Sequence, residues 1–207
     1  MRLIKRIDLE ELQWYKKQYF KICEEYQTNK NMLSAYEKLI SNLEFKLNGT
    51  KSTVYAVKND LKGNSSFICL QDRRALNTAT GALEGDLNLF VLSTVINPEK
   101  CPEKYRDMPY LQSSFRGEQV KIYELHSDID GEQYEKHGYA TMLLDTLIEI
   151  AQKANSKIIT GTLSLSDADT ETKKKKRNSF YKEYKTAKVE LFFDDETERQ
   201  GNLQINL

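Results

Sequence analysis

Tyr134-Glu135-Lys136-His137-Gly138-Tyr139-Ala140-Thr141-Met142-Leu143-Leu144 decides how this chain is read. Just upstream, Val120 to Ser127 carries Val120, Ile122, Tyr123 and Leu125, apolar on both faces as in a strand buried within a sheet. Just downstream, Leu143, Leu144, Leu147, Ile148 and Ala151 recur on one helical stripe. The chain therefore passes from a buried strand through a loop into a helix that opens at Gly138. The first amides of such a helix have no partner inside it. Gly138 lets another group approach the backbone, and Ala140 leaves room beside it. Backbone donors gathered this way suit an anion, above all a pyrophosphate. Each charge-assisted hydrogen bond contributes about 1.5–3 kcal/mol, against roughly 0.3–2 kcal/mol from the helix dipole, so backbone shape outweighs the loop side chains. An ordinary strand-to-helix turn with one glycine looks the same over these few residues.

On the C-terminal side the spacing predicts a strand over Lys157–Leu163, a helix over about Asp169–Tyr184, and strands at Val189–Phe193 and Leu203–Leu207. Ser166, three residues before Asp169, suits a capping-box start for that helix. The order β-α-β-α-β-β is an α/β arrangement with a crossover helix between neighbouring strands. On the N-terminal side, Leu87–Ile96 reads as a strand, and Val54–Lys58 and Phe67–Gln71 flank a hairpin turn at Lys62-Gly63-Asn64-Ser65. Arg73–Asp86, with Gly81 and Gly85, reads as loop, and Asn97–Gly117 as an irregular connection around Pro98, Pro102 and Pro109. The first 48 residues read as helical. One stripe holds Leu12, Tyr15, Tyr19, Ile22, Cys23 and Tyr26, and a second holds Met32, Leu33, Tyr36, Leu39, Ile40 and Leu43. Met1–Ile7 fits a short first strand.

Composition narrows the function classes. Lys+Arg and Asp+Glu balance at 31 each in 207 residues, so no global field favours nucleic acid or an anionic membrane, and any anion site is local. The Lys173–Arg177 run has acidic neighbours and reads first as a solvated helix face. Cys23, Cys69 and Cys101 have no metal-ligand spacing and read as reduced structural thiols of a cytoplasmic protein; no metal is expected. No apolar run approaches the ~20 residues that span a bilayer.

The Tyr134–Leu144 segment resembles the acetyl-CoA loop of the GNAT superfamily of N-acetyltransferases, Arg/Gln-x-x-Gly-x-Gly/Ala before a leucine-rich helix, with Gly138 and Ala140 at its last two fixed positions. Arg177-Asn178-Ser179-Phe180-Tyr181-Lys182-Glu183-Tyr184 resembles the family's second signature, in which Phe-Tyr lies beside the bound thioester. The resemblance covers about Val120 to Leu207. It implies one GNAT-like domain over 1–207, with an N-terminal helical part at 1–48, an insertion at 72–117 and an acetyl-CoA-binding core at 118–207. It implies an acyl-CoA N-acyltransferase fold: a mixed, mostly antiparallel central sheet with splayed parallel strands, flanked by helices. The implied activity is transfer of acetyl from acetyl-CoA to a primary amine of a small molecule, peptide or protein.

Carried over residue by residue, the amides of His137, Gly138, Tyr139 and Ala140 would grip the pyrophosphate, with Lys136 and Thr141 as helpers. Leu125, His126 and Ser127 on the splayed strand, and Ser164 and Asn178, would complete the coenzyme contacts, and the Lys173–Arg177 run would offer a contact to the 3′-phosphate. Tyr181 would protonate the departing sulfur, and Glu124 or His126, with Asp128 a further choice, would take the amine proton. Neither a membrane nor nucleic acid is expected as a partner, and a homodimer is left open. A second function class is a GNAT-fold binding or interaction protein with weak or no turnover. It goes with Glu135 where the family has Arg or Gln, and with Lys185-Thr186-Ala187 where it has Gly-Phe.

Overall fold

In the computed structural model, residues 17–21, 23, 24, 26, 27, 30, 52–93, 108–127 and 136–207 are described. The chain divides into two units, Met1–Phe45 and Lys46–Leu207. In the first, every described residue between 17 and 30 is helical, and Tyr19, Cys23 and Tyr26 of the expected apolar stripe are exposed. The readings of a helix over Met32–Leu43, a strand over Met1–Ile7, Asp128 as a base and Glu135 in the loop fall outside the described residues, as does Cys101.

The second unit is a mixed α/β fold. Its strands are β1 (Ser52–Asn59), β2 (Ser65–Asp72), β3 (Ala75–Leu76), β4 (Leu83–Ser93), β5 (Tyr110–Arg116), β6 (Gln119–His126), β7 (Ile158–Leu163), β8 (Val189–Phe193) and β9 (Gly201–Asn206). The helices are α1 (Tyr139–Lys153) and α2 (Glu171–Lys182), with a 3-10 turn at Leu165–Ala168 before α2. The sheet runs β1-β2-β4-β5-β6-β7-β9-β8, and β3 pairs with the start of β4. Every pair is antiparallel except β6–β7, which α1 connects as a crossover.

Patterning explains the layers. Register partners share a face of the sheet. Leu87, Leu89 and Val91 of β4 lie with Leu111 and Phe115 of β5 and with Val120 and Ile122 of β6 on the face that meets α1. Against them α1 buries Tyr139, Met142, Leu143, Leu144, Thr146, Leu147, Ile148, Ile150 and Ala151. On the opposite face Phe67, Cys69, Phe90, Leu92 and Tyr110 are buried as well, so β4 is apolar on both faces. Burial pushes the Cys69 thiol up to about 12.

Three expectations are corrected. Arg73–Asp86, read as loop, holds β3 and the first residues of β4, whose continuation is the strand expected from Leu87, and Asn97–Gly117, read as an irregular connection, holds β5; β4 and β5 lie in the middle of the sheet. The strand at β5 escaped because its inward positions include Ser113, a residue that sits in the core by donating its hydroxyl to Leu87 O at 2.9 Å. The start of α2 is capped by Thr170, whose Oγ1 accepts the Lys173 N–H at 3.2 Å, whereas Ser166 lies within the 3-10 turn.

Candidate functional site

Parallel pairing between β6 and β7 runs from Gln119↔Ile158 to Ile122↔Gly161 and goes no further among the described residues. Both strands continue past that point. Glu124, Leu125 and His126 of β6 stay bonded to Gln112, Leu111 and Tyr110 of β5, while Thr162 and Leu163 of β7 stay bonded to Asn202 and Gly201 of β9. Each strand is thus held on its outer side only, and the sheet opens between them. Strand residues send their main-chain groups alternately to the two sides, so β6 presents backbone donors and acceptors to the opening.

Local sequence builds this fork. Ile122 stands opposite Ser113 and Glu124 opposite Gln112, which leaves Tyr123 as an extra residue in β6. Such a bulge bends a strand and raises its twist. It also shifts the alternation: Leu125 shares the α1 face with Leu111, while Glu124 and His126 go to the other face with Gln112 and Tyr110. At the last joined pair β7 has Gly161, where a Cβ would lie 3.2 Å from Leu203 Cγ and 3.4 Å from Ile122 Cβ. The strands converge there because that side chain is absent.

Helix α1 starts beyond the end of β6. Gly138 is its N-cap in the left-handed region (φ 78°), with no side chain capping the helix and no acidic residue in its first turn. The Gly138 carbonyl takes the Met142 N–H at 3.0 Å, and the amides ahead of Met142 have no acceptor within the helix. Lys136 is exposed, and it too is left-handed at φ 60°. Between them, His137 is buried and donates through Nδ1 to Asp60 Oδ2 in the β1–β2 turn. Tyr139 is also buried; its ring stacks on His137 with centroids 5.1 Å apart, and its hydroxyl lies 3.4 Å from the same carboxylate oxygen. The Leu61 N–H donates to the His137 carbonyl at 3.0 Å. Asp60 Oδ1 closes its own turn by accepting the N–H groups of Lys62 at 2.9 Å and Asn64 at 2.8 Å. Burial pushes the Asp60 carboxyl up, but the hydrogen bonds from His137, Asn64 and Lys62 outweigh it and hold the group at about 2. An ionised carboxylate only accepts, so the proton of the short contact resides on His137.

The remaining expected residues lie around the same end of the sheet. Leu125, His126 and Ser127 are half-buried at the end of β6, with His126 5.5 Å from the Tyr110 ring, and Glu124 is exposed. Ala140 is half-buried and Thr141 exposed in the first turn of α1. Ser164 follows β7; its Oγ accepts the Ser166 N–H at 3.1 Å and starts the 3-10 turn. Asn178 is buried and bonds the Glu198 carbonyl at 3.2 Å. Tyr181 is buried within the main core, edge-on to Phe180 at 4.9 Å.

The Lys173–Arg177 run is not one solvated face. Arg177 donates to the carbonyls of Ser164 at 2.8 Å, Arg199 at 3.0 Å and Glu198 at 3.0 Å, so it ties α2 to the end of β7 and to the β8–β9 turn. Lys173 pairs with Asp169 at 2.9 Å and Lys174 with Glu171 at 2.8 Å. Sequence reasoning missed Asp60 altogether. Its turn was legible from Lys62-Gly63-Asn64, but its partner His137 is 77 residues away. It also missed Tyr184, whose hydroxyl donates to Asp145 on α1; burial and that carboxylate push the phenol pKa up.

Comparison with solved structures gives likenesses to proteins of known fold. A solved structure from Desulfovibrio desulfuricans, assigned to the GNAT family of acetyltransferases, aligns over 59% of this chain and 68% of its own at 12% identity, with a TM-score of 0.36. No protein-family model matches the chain, and no curated protein does. Among the described residues, no helix is long and apolar enough to cross a membrane.

Proposed function

We propose that this chain is an acetyl-CoA-dependent N-acetyltransferase acting on a primary amine, with residues 118–207 as its coenzyme-binding part. The observation that carries this reading is the opening between β6 and β7 beyond Ile122↔Gly161, together with a helix start that has amides to spare. The chemistry of the site fits the ligand. Uncapped backbone donors, with no carboxylate in the first turn, suit a diphosphate, and a strand edge with free N–H groups suits the pantetheine amides and the thioester carbonyl.

Bound acetyl-CoA supplies an activated acyl group. This chain's residues do the rest. The amides from His137 to Ala140 hold the diphosphate, with Lys136 and Thr141 beside them. Main-chain N–H groups along Leu125–Ser127 orient the thioester and stabilise charge on its carbonyl oxygen. An amine near pKa 10.4 is only about 0.04% neutral at pH 7, so proton removal matters. Glu124 and His126 share the sheet face at the mouth of the opening and take that role. Tyr181 is assigned the proton donated to the leaving sulfur, since a phenol is ordinarily protonated at neutral pH.

Acetyl-CoA at 100 times its Kd should stabilise the chain by ~2.7 kcal/mol, read as a raised melting temperature, and should shift the amide resonances of residues 136–141. With neither change at millimolar acetyl-CoA, the proposal fails. Tyr181→Phe should lower kcat on an amine panel at least ~10-fold with little change in coenzyme affinity; unchanged turnover removes Tyr181 from the chemistry. Tight acetyl-CoA binding with no turnover on any amine would favour a binding protein over an enzyme.

A further inference from the structure

We infer that Asp60 is a positioning residue for coenzyme binding: through His137 it holds residues 136–138 in the shape that turns the first amides of α1 outward toward a diphosphate. This deepens the function proposed above and rests on it. The loop needs an outside restraint. Lys136 and Gly138 are both left-handed, a conformation that a lysine adopts only when its surroundings impose it. Helix α1 supplies none of that restraint through a cap of its own.

The β1–β2 turn supplies it twice over, by the bond from His137 Nδ1 to Asp60 and by the bond from the Leu61 N–H to the His137 carbonyl. The carboxylate cannot swing away, because the N–H groups of Lys62 and Asn64 and the Asn64 side chain fix it from the other side. The turn also lies directly against the helix entry: a Cβ on Gly138 would come within 2.8 Å of Leu61 Cγ. With His137 drawn inward by its side chain and its carbonyl, the amides that follow are left pointing outward and unspent.

A test is available because the chain has only two histidines. In full-length protein labelled with [15N]histidine, the Nδ1 proton of His137 should exchange slowly with water and should vanish in Asp60→Asn. Affinity of that variant for acetyl-CoA should fall about tenfold, which corresponds to ~1.4 kcal/mol. Affinity for S-acetylpantetheine, which lacks the diphosphate, should stay the same, whereas a general loosening of the fold would weaken both. Should Asp60→Asn fail to fold, Leu61→Pro is compared with Leu61→Ala. Both remove the side chain over Gly138, only proline lacks the N–H that bonds His137, and the second position of a turn accepts proline. About threefold weaker acetyl-CoA binding by the proline variant than by the alanine variant supports the positioning role. Equal acetyl-CoA affinity across either comparison, or an equal loss toward S-acetylpantetheine, overturns it and leaves the coenzyme reading standing. Failure of the wild-type chain to bind acetyl-CoA brings down both.

Discussion

The two helices of the C-terminal half begin in opposite ways. Helix α2 caps itself: Thr170 accepts the Lys173 N–H, and Glu171 puts a carboxylate in the first turn. Helix α1 has a left-handed glycine, no side-chain cap and no first-turn acid, and is held by a carboxylate on a distant hairpin. They differ as much along their length. Nine residues of α1 are buried but only Asn178 and Tyr181 of α2. A helix that satisfies its own start has used the donors an anion would need. A helix fixed by packing and by an outside anchor can leave those donors free, and in this molecule the spare amides are at the start of α1.

The strongest way to break the contrast is to weaken the packing that fixes α1. Leu147 is fully buried among the sheet residues, so Leu147→Ala should cost ~3 kcal/mol in a urea or guanidinium melt. Lys175→Ala on the exposed face of α2 should stay within ~0.5 kcal/mol. A Leu147→Ala loss below ~1 kcal/mol would mean that the core does not hold α1, and the contrast would collapse.

Acid sharpens it next. The Asp60 carboxyl is held at about 2, below the ~3.9 of an unfolded aspartate. A depressed carboxyl stabilises the fold above its unfolded pKa, and that contribution is lost as pH falls through the folded value. Asp60 therefore should add ~2 kcal/mol at neutral pH, eroding between about pH 4 and pH 2. In a series of denaturant melts across that range, Asp60→Asn should remove this part of the acid slope. An unchanged slope would show that the bond to His137 does not stabilise the native state.

These anchors also show where sequence reading stops. The β6–α1–β7 unit was legible because a buried strand and a helical stripe differ in period, and Leu143, Leu144, Leu147, Ile148 and Ala151 are all buried as expected. The strand at β5 was not, since a serine can enter a core wherever a carbonyl such as that of Leu87 accepts from it, and composition does not announce the acceptor. The opening of β6 from β7 has the same character. The family resemblance implied splayed strands, but the fork depends on Tyr123 standing unpaired and on Gly161 fitting against Leu203, relations among distant residues. The sequence points to His137 for its main chain; that its side chain belongs to Asp60 follows from where the hairpin and the loop meet in space. Arg177, counted with the lysines as a surface charge, turned out to tie three carbonyls together.

The smallest expected effect tests the other side of the comparison. Thr170→Ala removes the cap of α2, and such losses cost ~1 kcal/mol. Glu171 gives a second handle. Hydrogen bonds from Lys174 and then Arg199 hold its carboxyl at about 2, as low as Asp60, yet Glu171 stands in open solvent. Exposed pairs of this kind are screened by salt, whereas a buried one is screened much less. Thr170→Ala should therefore lower the melting temperature slightly and leave acetyl-CoA affinity unchanged. Any acid sensitivity traceable to Glu171→Gln should fade in 1 M salt, while that of Asp60 persists. If Thr170→Ala instead weakened acetyl-CoA binding as much as Asp60→Asn, the start of α2 would be part of the anion site, and the spare donors at α1 would no longer single out one helix.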